Sequence, residues 1–286
     1  FRSPLIEPEL GSYLSDSAQC RPPRSFHSTG LRPVPISSSP PGGDQTMRIA
    51  LFGDIHANLE ALSAVLEDAK SQGCEQWVCL GDIVGYNAKP GECLDLVRSL
   101  ECPSVKGNHD EDACGAHSLK SMNPIAATAL SWTREQLSEE QRKWLGRLRM
   151  VRQVSDFTVV HSTLDQPETW GYEPNKFDAM SNFSYQFTDV CFHGHTHVPR
   201  VFVGGRKVRE ESAELVEIEK NLKYFINIGS VGQPRDGDPR ACYVIYDLER
   251  KLIHFRRVDY DRATAQQKIR DAGLPSKLAE LLTECR

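Results

Sequence analysis

From Met47 onward the chain repeats one pattern: a short apolar run ending in residues able to hold a metal ion, in four of five cases with a glycine beside them. The first instance is Met47 to Asn58, MRIALFGDIHAN. Ile49–Phe52 reads as a buried strand. Gly53 ends it, and Asp54 and His56 follow two residues apart. In an extended segment residues i and i+2 point the same way, so both side chains reach one ion. Asn58 suits the N-cap of a helix over 59–71, whose Leu59, Leu62, Val65, Leu66 and Ala69 form one apolar face. A carboxylate and an imidazole therefore stand at the C-terminal edge of a strand, where open α/β sheets bind their ligands.

The pattern recurs four times. Strand 77–80 leads to Gly81-Asp82, and strand 104–106 to Gly107-Asn108-His109-Asp110. Strand 157–160 ends at His161, and strand 190–192 at His193-Gly194-His195-Thr196-His197. Six of the nine histidines lie in these blocks. Glycine at such a turn permits close approach of backbone to a ligand.

Imidazole with carboxylate suits Mn, Fe, Zn, Ni or Co, whereas Ca and Mg prefer oxygen alone. No thiolate stands at these positions, which argues against a structural zinc site. Two aspartates and four or five histidines exceed the needs of one ion. They fit two ions sharing a carboxylate, roughly 3.5–4 Å apart. Hydrogen-bonded histidines and acids would explain any one block; five together weigh against that reading.

The rest of the chain sets the scaffold. Helices are expected over 91–99, 124–136 and 138–148, the last with a Ser138/Gln141 capping box. Strands 151–154 and 157–160 read as a hairpin around Ser155-Asp156. Later strands fall at 200–203, 215–218, 224–228, 241–247 and 251–258, and a helical tail over 262–282 breaks at Gly273-Leu274-Pro275. Alternation followed by a β-meander predicts a layered α/β or α+β domain rather than a pure doubly wound sheet. Residues 1–46 hold eight of the seventeen prolines and nine serines, the composition of a disordered extension. Four arginines there raise a transit peptide as the rival reading, against which four acidic residues count. The domain is expected over 47–260 and the tail over 261–286. Nine scattered cysteines without a Cys-x-x-Cys suggest reduced thiols, hence the cytoplasm.

Gly53-Asp54-x-His56, Gly81-Asp82, Gly107-Asn108-His109-Asp110, His161 and Gly194-His195-Thr196-His197 resemble, in order and spacing, the five signature blocks of the calcineurin-like metallophosphoesterases. The likeness spans Met47 to Val258 and is nearest to the small bacterial and archaeal single-domain phosphoesterases. Asn227 to Pro234 also resembles the Asn-x-Gly-Ser segment of that family. The resemblance implies a four-layer α-β-β-α sandwich of two mixed sheets flanked by helices. It implies that Asp54, His56, Asp82 and His197 hold one divalent ion, and that Asp82, Asn108, His161 and His195 hold the second. It further implies a manganese-type pair whose bridging hydroxide attacks phosphorus, with His109 assisting the leaving group. Asp110, by adjacency, is expected to orient His109.

The chain also departs from the family's pattern. Serine/threonine phosphatases and symmetrical dinucleoside tetraphosphate hydrolases usually carry an Asp and an Arg after the Gly-Asp block. Here the text is Gly81-Asp82-Ile83-Val84-Gly85-Tyr86-Asn87. Arg235 and Arg240 are therefore the candidates to grip a substrate phosphate, and Tyr86 and Asn87 to line the site, against a solvated-loop reading. His193 is expected to be a strand residue behind the ligands, and His27, His117 and His254 surface or structural residues. Trp132, Trp144 and Leu148 are expected in the core and 206–211 at a hairpin tip. A net charge of −5 leaves no footprint for duplex nucleic acid, so a small phosphoester is the expected partner. No membrane span is expected. The rival functions are a metal-binding scaffold with little turnover and a nuclease or cyclic-nucleotide phosphodiesterase.

Overall fold

The computed structural model describes residues 47–115, 119, 122–172 and 175–286. The expectations for residues 1–46 and for His117 lie outside them. Strand β1 (Arg48–Phe52) pairs in parallel with β2 (Gln76–Cys79) and antiparallel with β10 (Ala241–Asp247). With β11 (Leu252–Val258) and β8 (Leu215–Glu217) these form a five-stranded mixed sheet of order β2-β1-β10-β11-β8. The second sheet has six strands: β3 (Val151–Val154), β4 (Phe157–Val160), β5 (Val190–His193), β9 (Lys223–Asn227), β6 (Arg200–Gly204) and β7 (Arg209–Glu211).

Strand alternation assigns each face to a different core. Ile49 and Leu51 of β1 enter the layer between the sheets, with Phe157, Phe192, Tyr224 and Tyr246. Ala50 and Phe52 face outward, against helix α1 (Leu59–Ser71) and helix α2 (Pro90–Ser99). Leu130 of α4 (Pro124–Gln136) and Leu145 of α5 (Glu139–Gly146) join that outer core. On the second sheet, Ala179 of α6 (Lys176–Tyr185) covers Cys191, Phe202 and Phe225. The result is the four-layer α-β-β-α sandwich. Strands buried on both faces carry continuous apolar text, and β10 is buried at every position.

The tail forms α7 (Arg262–Asp271) and α8 (Ser276–Glu284), which bury Ile269, Leu278 and Leu282 beside Ala129 of α4. Trp132, Trp144 and Leu148 are half-buried against the helical cores. Ser138 caps α5, with Gln141 returning the bond at 3.0 Å.

One expectation changes. Residues 104–106 form no strand; Ser104 and Val105 make only isolated bridges to Cys79 and Arg149. Asn108–Ala113, to which no element was assigned, forms the short helix α3, whose first turn carries the acidic residues Asp110 and Glu111. The charged stretch expected as a hairpin tip contains β7, paired with β6. Among the described residues, eight cysteines are free thiols and no helix is long and apolar enough to cross a membrane.

Candidate metal centre

The C-terminal ends of β1, β2, β4 and β5 and the start of α3 converge at one edge of the sandwich. The loop after β1 is zipped to the loop after β2: Asp54 N–H donates to Gly81 O at 3.0 Å and His56 N–H to Asp82 O at 2.9 Å. Gly194 closes the approach from the second sheet. A methyl group there would collide with a carboxylate oxygen of Asp54, and one at Gly107 with the carboxylate of Asp82. His195 N–H donates to Asp54 Oδ2 at 3.0 Å, and His109 N–H to Asp82 Oδ1 at 2.9 Å.

These contacts gather two groups of ligand atoms: Asp54, His56, Asp82 and His197, and Asp82, His161 and His195, each within 4.8 Å of one another. Asp82 belongs to both. Its Oδ2 stands 3.5 Å from His56 Nε2 and 3.4 Å from His161 Nε2, while Asp54 Oδ1 stands 3.3 Å from His197 Nε2. All six side chains are buried. The Asn108 Oδ1 atom is buried and has no hydrogen-bond partner.

Each histidine has one ring nitrogen fixed by a backbone carbonyl. Nδ1 of His56, His161 and His197 bonds Val84 O, Leu80 O and Gln233 O at 3.2, 2.8 and 2.6 Å. His195 is reversed, its Nε2 bonding Trp170 O at 3.1 Å. A carbonyl only accepts, so these nitrogens carry the protons and the opposite ones keep lone pairs, the tautomers a metal needs. His56 Nε2 and His197 Nε2 then face each other at 3.0 Å, two acceptors without a proton between them. His161 Nε2 is likewise buried without a hydrogen-bond partner. A divalent cation satisfies this donor set, and the residues fit one.

For three of the four histidines the electrostatics agree. Burial holds His56 and His197 below the usual imidazole range, and His195 down to about 3, so all three favour the neutral form. Burial alone would raise Asp82, yet His161 and His109 hold it well below the carboxylate range. Burial would lower His161, but Asp82 and Asp54 push it up to about 10. A cation between the same oxygens would take over that proton's charge.

Five of the candidate ligand residues are non-glycine residues in the left-handed region: Asp54 (φ 47°), His56 (48°), Asp82 (48°), His195 (69°) and His197 (61°). Each such residue is strained by about 1–2 kcal/mol, and a cluster of them marks a site that its surroundings over-determine.

Some of the neighbours sort differently from expectation. His109 sits beside His56, ring centroids 4.7 Å apart, and burial lowers it to about 4. Asp110 does not bond its Nδ1, which is buried without a partner. Its oxygens accept from Ile83, Val84 and Gly107 amides at 2.9, 3.3 and 3.0 Å, tying the Asp82 loop to the Asn108 turn. Tyr86 lies at the site, 4.5 Å from both His56 and His109 ring centroids. Arg235 joins it, donating to Tyr86 Oη at 3.4 Å. Arg240 does not; it is exposed and forks onto Asp238 at 2.6 Å. Asn87 is neither solvated nor open to a substrate: its buried Nδ2 donates to His56 O at 2.7 Å. His193 stacks on Phe225 with centroids 4.1 Å apart. His254 lies on β11, away from these ligands.

Sequence reading missed Trp170 and Tyr172, which stand 5.9 Å from His161 and 4.4 Å from His195 between ring centroids. They follow an irregular loop with no periodic signal. It also left Asn227 without a task; its Nδ2 pins Gly194 O at 2.6 Å and Thr196 Oγ1 at 3.0 Å.

Comparison with known proteins agrees with this geometry. Residues 47–251 match the calcineurin-like phosphoesterase superfamily domain. An uncharacterized protein of Methanocaldococcus jannaschii is 41% identical over 242 residues, covering 82% of this chain and 96% of its own. The crystal structure of a metallophosphoesterase from Sphaerobacter thermophilus superposes with a TM-score of 0.75 at 41% identity, covering 84% of this chain and all of that one (100%). A hypothetical protein of Pyrococcus horikoshii shares the fold, with a TM-score of 0.70 at 19% identity over 84% of this chain and 99% of that one. The chain belongs to the calcineurin-like phosphoesterase superfamily.

Proposed function

We propose that this chain is a dinuclear metal-dependent phosphoric ester hydrolase acting on small phosphomono- or phosphodiesters. The observation that carries the reading is Asp82, a single buried carboxylate common to two groups of ligand atoms. Asp54, His56, Asp82 and His197 hold one divalent ion. Asp82, Asn108, His161 and His195 hold the other. Manganese is the first choice, with iron, nickel, cobalt and zinc sharing the same ligand preferences. When bound, such a pair supplies charge neutralisation at the phosphoryl oxygens and a water acidified toward neutral pH.

The chain's own residues do the remaining work. His109, packed between His56 and Tyr86, supplies a proton or hydrogen bond to the leaving oxygen. Arg235, braced by Gln233 at 3.2 Å and by Tyr86, offers a guanidinium to a phosphoryl oxygen. Asp110 acts through the backbone, holding the Asp82 and Asn108 segments in register. A reducing compartment, the cytoplasm, suits a chain whose described cysteines are all free.

The test counts metal per chain after Mn²⁺ loading and follows turnover in parallel. Wild type is expected to hold two ions. His109→Asn is expected to keep both while turnover falls by about 10²–10⁴-fold. Unchanged turnover would remove His109 from the chemistry; a single ion in wild type would overturn the dinuclear reading.

A further inference from the structure

We propose that a second anion site lies at the seam where the edge strands β2 and β3 diverge, and that it binds a small phosphorylated anion such as a diphosphate group. The feature is a cleft of about 390 Å³ between the end of α2, the end of α5, the 101–104 segment and β3. It shares no lining residue with the metal-ligand groups.

Arg152 carries the argument. It sits on the same face of β3 as Val154, which belongs to the core between the sheets, so its stem starts on the buried side of the sandwich. Its Nε is buried and has no hydrogen-bond partner. A guanidinium N–H withdrawn from water without an acceptor is costly, and such an orphaned donor asks for a ligand. Arg147 lines the same cleft. Among the described residues, neither arginine has an ion-pair partner. Arg98, on the rim, has its charge met by Glu140 at 2.6 Å. Glu101 also borders the cleft but pairs with neither free arginine.

Cys102 and Ser104 add no charge of their own. Burial pushes the Cys102 thiol up to about 11, so it stays neutral. The Ser104 hydroxyl donates to Cys102 O at 3.1 Å and keeps lone pairs only. Burial, and then the nearby Arg149, disfavour charge on Arg152, which is relieved by an anion. Two guanidinium groups match the two charges and the several oxygens of a phosphoryl group better than a lone carboxylate. The volume exceeds what one phosphate needs and leaves Trp144 to flank the remainder of a larger anion.

The experiment is calorimetric titration of inorganic pyrophosphate into the metal-loaded full chain and into Arg147→Gln and Arg152→Gln. Wild type is expected to show two binding events, one at the metal centre and one at the cleft. Each variant is expected to weaken one event at least tenfold, keep the other, and hydrolyse a phosphoester substrate at the wild-type rate. Arg147 is exposed, so its variant serves even if Arg152→Gln fails to fold. A single event abolished by Asp82→Asn, or isotherms unchanged in both arginine variants, would overturn the site.

Discussion

The strands β1, β2, β4 and β5 do two different things along their lengths. Between the sheets they bury Leu51, Val78, Val159 and Phe192 in regular, ladder-paired backbone. A few residues later the same chains turn left-handed and crowd two carboxylates and four imidazoles into one buried cluster. The first region obeys every local preference; the second violates several. The candidate metal-binding edge is therefore held by its surroundings. Carbonyls of Leu80, Val84, Trp170 and Gln233 aim the rings, and Asp110, Asn87, Asn227 and Ser230 pin the loops.

Asp82→Asn should separate the two regions most sharply. It removes the shared carboxylate and should lower turnover by at least about a thousandfold, roughly 4 kcal/mol, with the second ion lost. A variant that keeps two ions would break the distinction. In the core, Phe192→Ala should cost about 3–5 kcal/mol in urea unfolding, while the folded fraction keeps its metal count. Loss of metal at full folding would mean the regions are not separable.

Asn227→Ala frees the loop that carries His195 and His197. It should weaken metal binding by about 10–100-fold, read by competition with a chelator. Unchanged affinity would show that Asn227 does not hold the loop.

Asp68 of α1 offers a control remote from the ligands. Burial would raise its pKa, but hydrogen bonds from Arg256 at 2.9 Å and Tyr243 at 2.6 Å hold it below the ordinary carboxylate value. A folded-state pKa below the unfolded one means its stabilisation is present near neutral pH and fades as pH falls through the folded value. Asp68→Asn should therefore cost about 1–2 kcal/mol at pH 7 and progressively less toward pH 3, without change in metal affinity. A gap in melting temperature that does not narrow would contradict this. The smallest effect is expected at Ser138→Ala, about 1 kcal/mol from the lost cap and none at the site.

The contrast also explains what sequence could reveal. Apolar runs at β1, β4 and β10 and the caps at Asn58 and Ser138 were legible because local chemistry and fold agree there. So were Asp54, His56, Asp82, Asn108, His161, His195 and His197 as candidates, because they recur after short apolar runs. Adjacency misled at Asp110 and Arg240, where the nearest partners turned out to be backbone amides and Asp238. The carbonyls that choose each tautomer have no side-chain signature. Trp170 and Tyr172 reach the site through an irregular loop, whereas Tyr86, already a candidate from the sequence, is brought there where Gly85 (φ 92°) lets the chain pass against His109.

The most direct measurement is metal reconstitution of the full chain. Metal-free protein would be titrated with Mn²⁺, Ni²⁺, Co²⁺ and Zn²⁺ while turnover is followed on p-nitrophenyl phosphate and bis-p-nitrophenyl phosphate. The account predicts that hydrolysis of at least one ester rises with metal and levels off near two equivalents per chain. Two ions bound with no turnover of either ester would favour a scaffold, and absence of metal binding would contradict the account at its centre.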